Sequence, residues 1–205
     1  MSKLSFGALH YLWVKALGSA SNQLMPTIMT HAVIPLGLAM AAGPSRLPAR
    51  LTLIGVGLAM APDLDVIGFN FGIQYAEAWG HRGATHSLIF ALLVALLIWP
   101  MVRKLVGTSR RSMLIAISFL FASMASHGLL DALTDGGLGI ALAWPWSDER
   151  FFFAWRPVEV SPLGVQRFFS ARGAEVLGSE LRWIVLPWLM FTASIFALRK
   201  VWGRR

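Results

Sequence analysis

Four of the five histidines sit in short polar islands that interrupt or end strongly apolar runs. The islands are Thr30-His31, Pro62-Asp63-Leu64-Asp65, His81-Arg82-Gly83-Ala84-Thr85-His86-Ser87, and Ser126-His127-Gly128-Leu129-Leu130-Asp131, which runs on to Thr134-Asp135-Gly136. An ionisable group at membrane depth costs at least ~2.5–3.5 kcal/mol on insertion scales, so such residues mark a site by default. Imidazole and carboxylate together, with no cysteine in the chain, point to a divalent metal held by nitrogen and oxygen.

The spacing within each island narrows the geometry. His127 and Asp131 are four apart on one helix face, where both grip one ion or the acid orients the imidazole. Asp63 and Asp65 are two apart and cannot share a helix face, so they need a turn, which Pro62 helps to impose. His81 and His86 are five apart and fall on different faces of any continuous helix. A break at Gly83 lets His86 enter from the first turn of the next helix and His81 from the preceding loop, with one of the two able to act as an orienter rather than a ligand. His31 alone would read as a core histidine, and it joins the set through its company. His10 has none and is left out.

The elements that must position these residues are membrane helices. The 205 residues are 56% hydrophobic, with a mean hydropathy of +0.62 and 14% charged residues, against about 25% charged in an ordinary soluble domain. The expected fold is all-α, a polytopic membrane helical bundle of four full spans (24–42, 87–102, 112–130 and 183–198) plus one short broken helix, 51–61, that stops at Pro62-Asp63. Residues 1–24 lack a full span and read as an interfacial or loose extension, and 25–205 as the integral membrane domain.

If the spans alternate, one side of the membrane receives Arg46, Arg50, Arg103, Lys104, Arg110, Arg111, Arg199, Lys200, Arg204 and Arg205 and no acid, while all ten Asp and Glu fall on the other. The positive-inside rule makes the basic side cytoplasmic, although the loop from 141 to 182 carries five Arg on the opposite side. Basic residues so placed are topology signals, and direct nucleic-acid binding is not expected. The same alternation delivers Asp63, His86, Asp131 and His31 to one leaflet. Four segments distant in sequence therefore converge, and that convergence argues for one shared site facing the periplasm or exterior.

These islands, together with Pro145-Trp146-Ser147-Asp148-Glu149-Arg150-Phe151-Phe152-Phe153 and Val160-Ser161-Pro162, resemble the motif series of the LexA-binding, inner-membrane-associated hydrolases, the YdjM-like family. The likeness runs from about Met25 to Arg182. It implies a multi-pass protein of a bacterial inner membrane and a metal-dependent hydrolase. More distantly, the order of ligands is similar to zinc-dependent phospholipase C. That likeness implies Asp63, His86, His127 and Asp131 around one metal, with His31 and a bridging Asp131 contributing to a second. No later His-x3-Glu pair completes a third site.

The expected cofactor is one or two divalent ions, with zinc first and manganese or iron also suited to His and Asp. The expected chemistry is hydrolysis of a phosphoester in a lipid-derived or small-molecule substrate. Asp65 is a further ligand or the base for the attacking water, His81 a proton donor to the leaving oxygen, and Arg82 a phosphate holder, with an interfacial anchor or a partner for an Asp as its structural alternatives. The aromatic stretch 143–162 reads as a belt at the headgroups or a rim over the substrate. A metal-ion or proton transporter and a non-catalytic partner protein with a structural metal are the competing readings.

Overall fold

The computed structural model describes residues 24–25, 28–162 and 170–202. The extension 1–24, save Leu24, and His10 with it, lie outside the described residues. Among the described residues the regular elements are helices apart from a two-residue ladder, in which β1 (Leu24–Met25) pairs antiparallel with β2 (Ser161–Pro162), and loops at 72–83 and 132–160 join them. Among the described residues, four helical stretches are long and apolar enough to cross a membrane: Ala49–Phe71, Leu88–Val106, Arg110–Asp131 and Ala171–Trp202.

The count of four spans and one short helix matches the expectation, but two elements exchange roles. The first apolar run is broken into α1 (Ile28–His31) and α2 (Val33–Ala42). Pro35 gives the reason, because its ring lacks an N–H and crowds the carbonyl four residues back, which belongs to His31. Conversely, the run expected to stop at Pro62 does not. After α3 (Ala49–Met60) the chain tightens into a 3-10 helix, Ala61–Phe71, with Pro62 in its first turn, where a missing N–H is tolerated. The composite element reaches 23 residues and ends at Gly72 in a left-handed conformation.

A short 3-10 turn, Ala84–His86, leads into α4 (Leu88–Val106), whose first turn is capped by Ser87 accepting from the Phe90 N–H. A tight link carries the chain into α5 (Arg110–Asp131), capped in the same way by Ser109. The last span is α6 (Ala171–Glu180), a single π-helical segment Leu181–Val185, and α7 (Leu186–Trp202). Helix α5 is the centre of the bundle, packed on both α3 and α4, while α7 lies on α2. The main core is apolar and comprises Leu51, Leu58, Ala91, Ala95, Val102, Ala116, Phe119, Leu120 and Met124. Leu93, Leu97 and Met101 of α4 and Leu189, Met190 and Phe191 of α7 are exposed, as residues facing lipid would be.

The helix ends sort by charge. The carboxyl ends of α2, α4 and α7 and the amino ends of α3 and α5 lie together, with Arg46, Arg50, Arg103, Lys104, Arg110, Arg111, Arg199 and Lys200 in or beside them. His31, His81, His86 and His127 collect with Asp63, Asp65 and Asp131 at the opposite end.

Candidate metal centre

Four carboxylate and imidazole groups from three elements meet at that end. Asp63 is presented by the 3-10 helix after α3, His86 by the turn before α4, and His127 and Asp131 by the last turns of α5. One ligand atom from each can be chosen so that all four lie within 4.8 Å of one another, and all four residues are buried. His127 Nε2 is 3.1 Å from Asp63 Oδ1 and 3.8 Å from Asp131 Oδ2. His86 Nε2 is 3.7 Å from Asp63 Oδ1 and 3.5 Å from Asp131 Oδ2. Ligands about 2.05 Å from a tetrahedral ion stand about 3.3 Å apart, so these separations suit a first-row divalent metal.

The hydrogen bonds behind the cluster turn lone pairs toward its middle. His127 Nδ1 is 2.7 Å from the Ala59 carbonyl, which can only accept, so Nδ1 carries a proton and Nε2 is turned to the Asp63 carboxylate 3.1 Å away. A nitrogen and a carboxylate oxygen at that distance are held by a cation they share, a proton on Nε2 or a metal ion between them. On His86 the outward nitrogen, Nδ1, meets Asp65 Oδ2 at 3.3 Å and the Thr85 hydroxyl at 3.0 Å, leaving Nε2 facing inward. Histidine ligands of metals are oriented by such carboxylate and carbonyl partners. Gly128 permits the close approach, because a Cβ there would stand 2.6 Å from the His86 carbonyl oxygen.

Among the described residues, every buried side-chain nitrogen or oxygen without a hydrogen-bond partner belongs to this neighbourhood. They are both nitrogens of His31, Asp63 Oδ2, Asp131 Oδ1, Nε2 of His81 and His86, the Tyr75 hydroxyl and Nη2 of Arg82, together with Arg82 Nε and Asp131 Oδ2, which make no hydrogen bond but form an ion pair at 3.1 Å. An unsatisfied buried polar group costs about 1–3 kcal/mol, and more if charged. The donor set therefore fits a divalent ion on chemistry as well as on spacing.

The other expected residues take distinct positions. His31 stacks on His127, ring centroids 3.8 Å apart, with Nε2 3.7 Å from Asp131 Oδ1, so it flanks the cluster on the face of Asp131 turned away from His86. Asp65 hydrogen-bonds His81 Nδ1 at 2.7 Å, the Thr85 hydroxyl at 2.9 Å and the Arg82 backbone N–H at 3.2 Å. Its carboxylate thus sits behind the imidazoles, and with His81 and His86 it makes a second, smaller group of possible ligands. Arg82, fully buried, places Nε 3.1 Å from Asp131 Oδ2 and donates from Nη1 to the Gly136 carbonyl at 2.8 Å. It is the one non-glycine with positive φ among the described residues, at 62°, a conformation that persists only when its surroundings hold it.

Several contributors were not singled out from sequence. Arg150 donates to the carbonyls of His81, Tyr75 and Glu77 at 3.1–3.3 Å and so fastens the loop that carries His81 and Arg82. Tyr75 packs edge-on to His81, and burial pushes its hydroxyl pKa up against the pull of the Arg82 charge. Glu180, 1% exposed, accepts from the Thr30 hydroxyl at 2.6 Å and ties the last span to the segment bearing His31. Its only signal in the sequence is an acid just ahead of an apolar run.

The fold and the buried His/Asp cluster define a polytopic, all-helical membrane protein with a possible metal-binding site at one end of its bundle. Residues 25–203 match the model of the YdjM inner membrane protein family, and the chain belongs to that family. It is 41% identical over 181 residues to the inner membrane protein YbcI of Escherichia coli K12, a match covering 88% of this chain and all of that protein. No solved structure matches it.

Proposed function

We propose that the protein is a membrane-embedded metal-dependent hydrolase acting on a phosphoester of a lipid or lipid-linked substrate at one leaflet. The observation that carries this reading is the buried cluster of Asp63, His86, His127 and Asp131, in which His86 Nε2, Asp63 Oδ2 and both Asp131 oxygens lack hydrogen-bond partners while His127 Nδ1 is held by the Ala59 carbonyl. A bound divalent ion, zinc first, would lower the pKa of a water toward ~7 and polarise a phosphoryl oxygen. His31 with Asp131 offers ligands for a second. Asp65 orients His81 and His86 through their Nδ1 atoms, His81 as an imidazolium paired with that carboxylate would give its Nε2 proton to a leaving oxygen, and Arg82 Nη2 is left to bind a phosphate oxygen.

The surroundings favour hydrolysis over transport. The core between the cluster and the basic end is apolar, so the titratable groups do not form a path through the bundle. A cavity of about 530 Å³ lined by Leu142, Ala143, Ser147, Glu149, Arg150, Phe151 and Phe152 lies in the aromatic loop. Trp146, 78% exposed, projects beside it, which suits a rim that meets lipid.

The test is phosphodiesterase activity of purified protein on chromogenic headgroup analogues, with metal content measured in parallel. Activity lost to a chelator, restored by zinc or manganese and absent in His127→Ala supports the reading. A metal-loaded protein without activity would leave a structural metal site, and zinc flux into liposomes would favour a transporter. The site is proposed to face the periplasm or exterior. Reporter tags between Lys104 and Arg110 should then read cytoplasm, and a tag near Gly173 the opposite side.

A further inference from the structure

A second cavity, of about 320 Å³, opens at the basic end of the bundle between α2 and α7. Ala39, Met40 and Phe196 form its apolar walls, Gly43 and Pro44 its end, and Arg199 and Lys200 its charged rim. It shares no residue with the metal centre and plays no part in the chemistry proposed there.

We propose that this cavity binds an anionic phospholipid, with the phosphate at Arg199 and Lys200 and the first part of an acyl chain against Met40 and Phe196. Each cation is already fixed by one structural contact. Arg199 Nη1 donates to the Ala41 carbonyl in the last turn of α2, and the guanidinium lies against Gly43, where a Cβ would stand 2.9 Å from Nη2. Gly43 has φ +84°, so a side chain there is disfavoured by the backbone as well as by the guanidinium. A guanidinium carries five N–H donors, and this contact uses one. The Lys200 ammonium sits 5.4 Å from the centre of the Phe196 ring, within cation–π range. Two held cations with spare donors, at the rim of an apolar cleft, match a headgroup joined to hydrocarbon.

Charge complementarity selects the occupant. Among the described residues this end carries eight Lys and Arg and no acid, so a zwitterionic lipid gains little there and an anionic one is attracted. Basic pockets between membrane helices are known to take anionic headgroups. The position of the cavity beside helix ends puts the cations where headgroups lie, and the exposed Met40 and Phe196 where acyl chains begin.

The test uses the full chain in detergent, observed by native mass spectrometry with added phosphatidylglycerol or phosphatidylcholine. Wild type should hold a phosphatidylglycerol adduct through activation that strips phosphatidylcholine. The double variant Arg199→Gln/Lys200→Gln should lose it by about tenfold or more. Met40→Trp, which fills the cavity but keeps both cations, should lose it too. Arg103→Gln/Lys104→Gln, with equal charge removed outside the cavity, should retain it, and helical circular dichroism with monodisperse elution in detergent reports that all variants are folded. Equal retention by wild type and the double variant overturns the proposal. Equal loss in the Arg103/Lys104 control shows diffuse charge attraction instead and also overturns it. Displacement by free glycerol 3-phosphate as effective as by lipid would make this a solute site, which is likewise fatal to it.

Discussion

The two ends of the bundle solve opposite problems with the same helices. At one end α5 brings His127 and Asp131 into a closed cluster where the side chains are under 4% exposed and many polar atoms lack partners. At the other, the same bundle ends in exposed Arg and Lys held by single contacts, such as Arg199 with the Ala41 carbonyl of a neighbouring helix and Lys200 with Phe196. Between them lies apolar packing around Leu120 and Phe119. Buried charges must be paired or bound to something, whereas cations in headgroups need neither. The polar end is therefore specified residue by residue, and the basic end by charge and position.

Substitution at the polar end gives the sharpest test of this contrast. Asp131 faces His31, His86, His127 and Arg82 at once, so Asp131→Ala should lower metal affinity more than any other single change. The expected loss exceeds about 100-fold, since even orienting partners of metal ligands are worth about 10–100-fold. His127→Ala should act in the same direction. Elemental analysis of purified variants checks both, and unchanged metal content would sink the shared-ligand reading.

Asp65→Asn comes next. It keeps the size of the side chain but weakens acceptance from His81 and His86, so an effect of about 10–100-fold on metal affinity is expected. A titration of apo protein with zinc against a competing chelator reads it. An effect as large as that of Asp131→Ala would make Asp65 a ligand instead of an orienter.

How much of this could be read from the sequence depends on what kind of signal each residue leaves. Asp63, His86, His127 and Asp131 were legible because an ionisable group in an apolar run has few explanations, and alternation of spans brought them to one end. The break at His31 and the extension past Pro62 were not. Both turn on a proline whose effect depends on which carbonyl lies four residues back and whether its position is a first turn, and hydropathy averages that away. Tyr75 and the Ala59 carbonyl leave no motif, and the stretch that contains Arg150 gives that residue no role, because a staple to backbone carbonyls requires no fixed spacing. Arg82 stood out in sequence but was ambiguous between phosphate holder, interfacial anchor and Asp partner, and its ion pair with Asp131 emerges only in three dimensions.

The middle of the bundle separates stability from binding. Leu120→Ala removes a fully buried side chain from the main cluster and should destabilise by about 2–5 kcal/mol. Metal affinity per folded molecule should stay within a few-fold of wild type. Unfolding in graded denaturing detergent, read with metal content, distinguishes these, and a matching loss of affinity would couple the apolar core to the site.

The smallest effect is expected from the amino-terminal extension. The family match begins at residue 25, and β1, Leu24–Met25, pairs with Ser161–Pro162, so the boundary for a deletion lies before Leu24 rather than after it. The segment ahead of it offers one histidine, His10, and no other residue able to hold a metal. Deleting residues 1–23 should leave membrane insertion unchanged and metal content within error of wild type, as should His10→Ala. Carrying the deletion through Met25 should cost more, because it removes the ladder that joins the start of the first apolar run to the loop after the aromatic rim. Fractionation and elemental analysis of the two truncations decide the point. A 1–23 deletion that inserts normally but arrives without metal would place the extension in the site, and the division of the chain at residue 25 would fall.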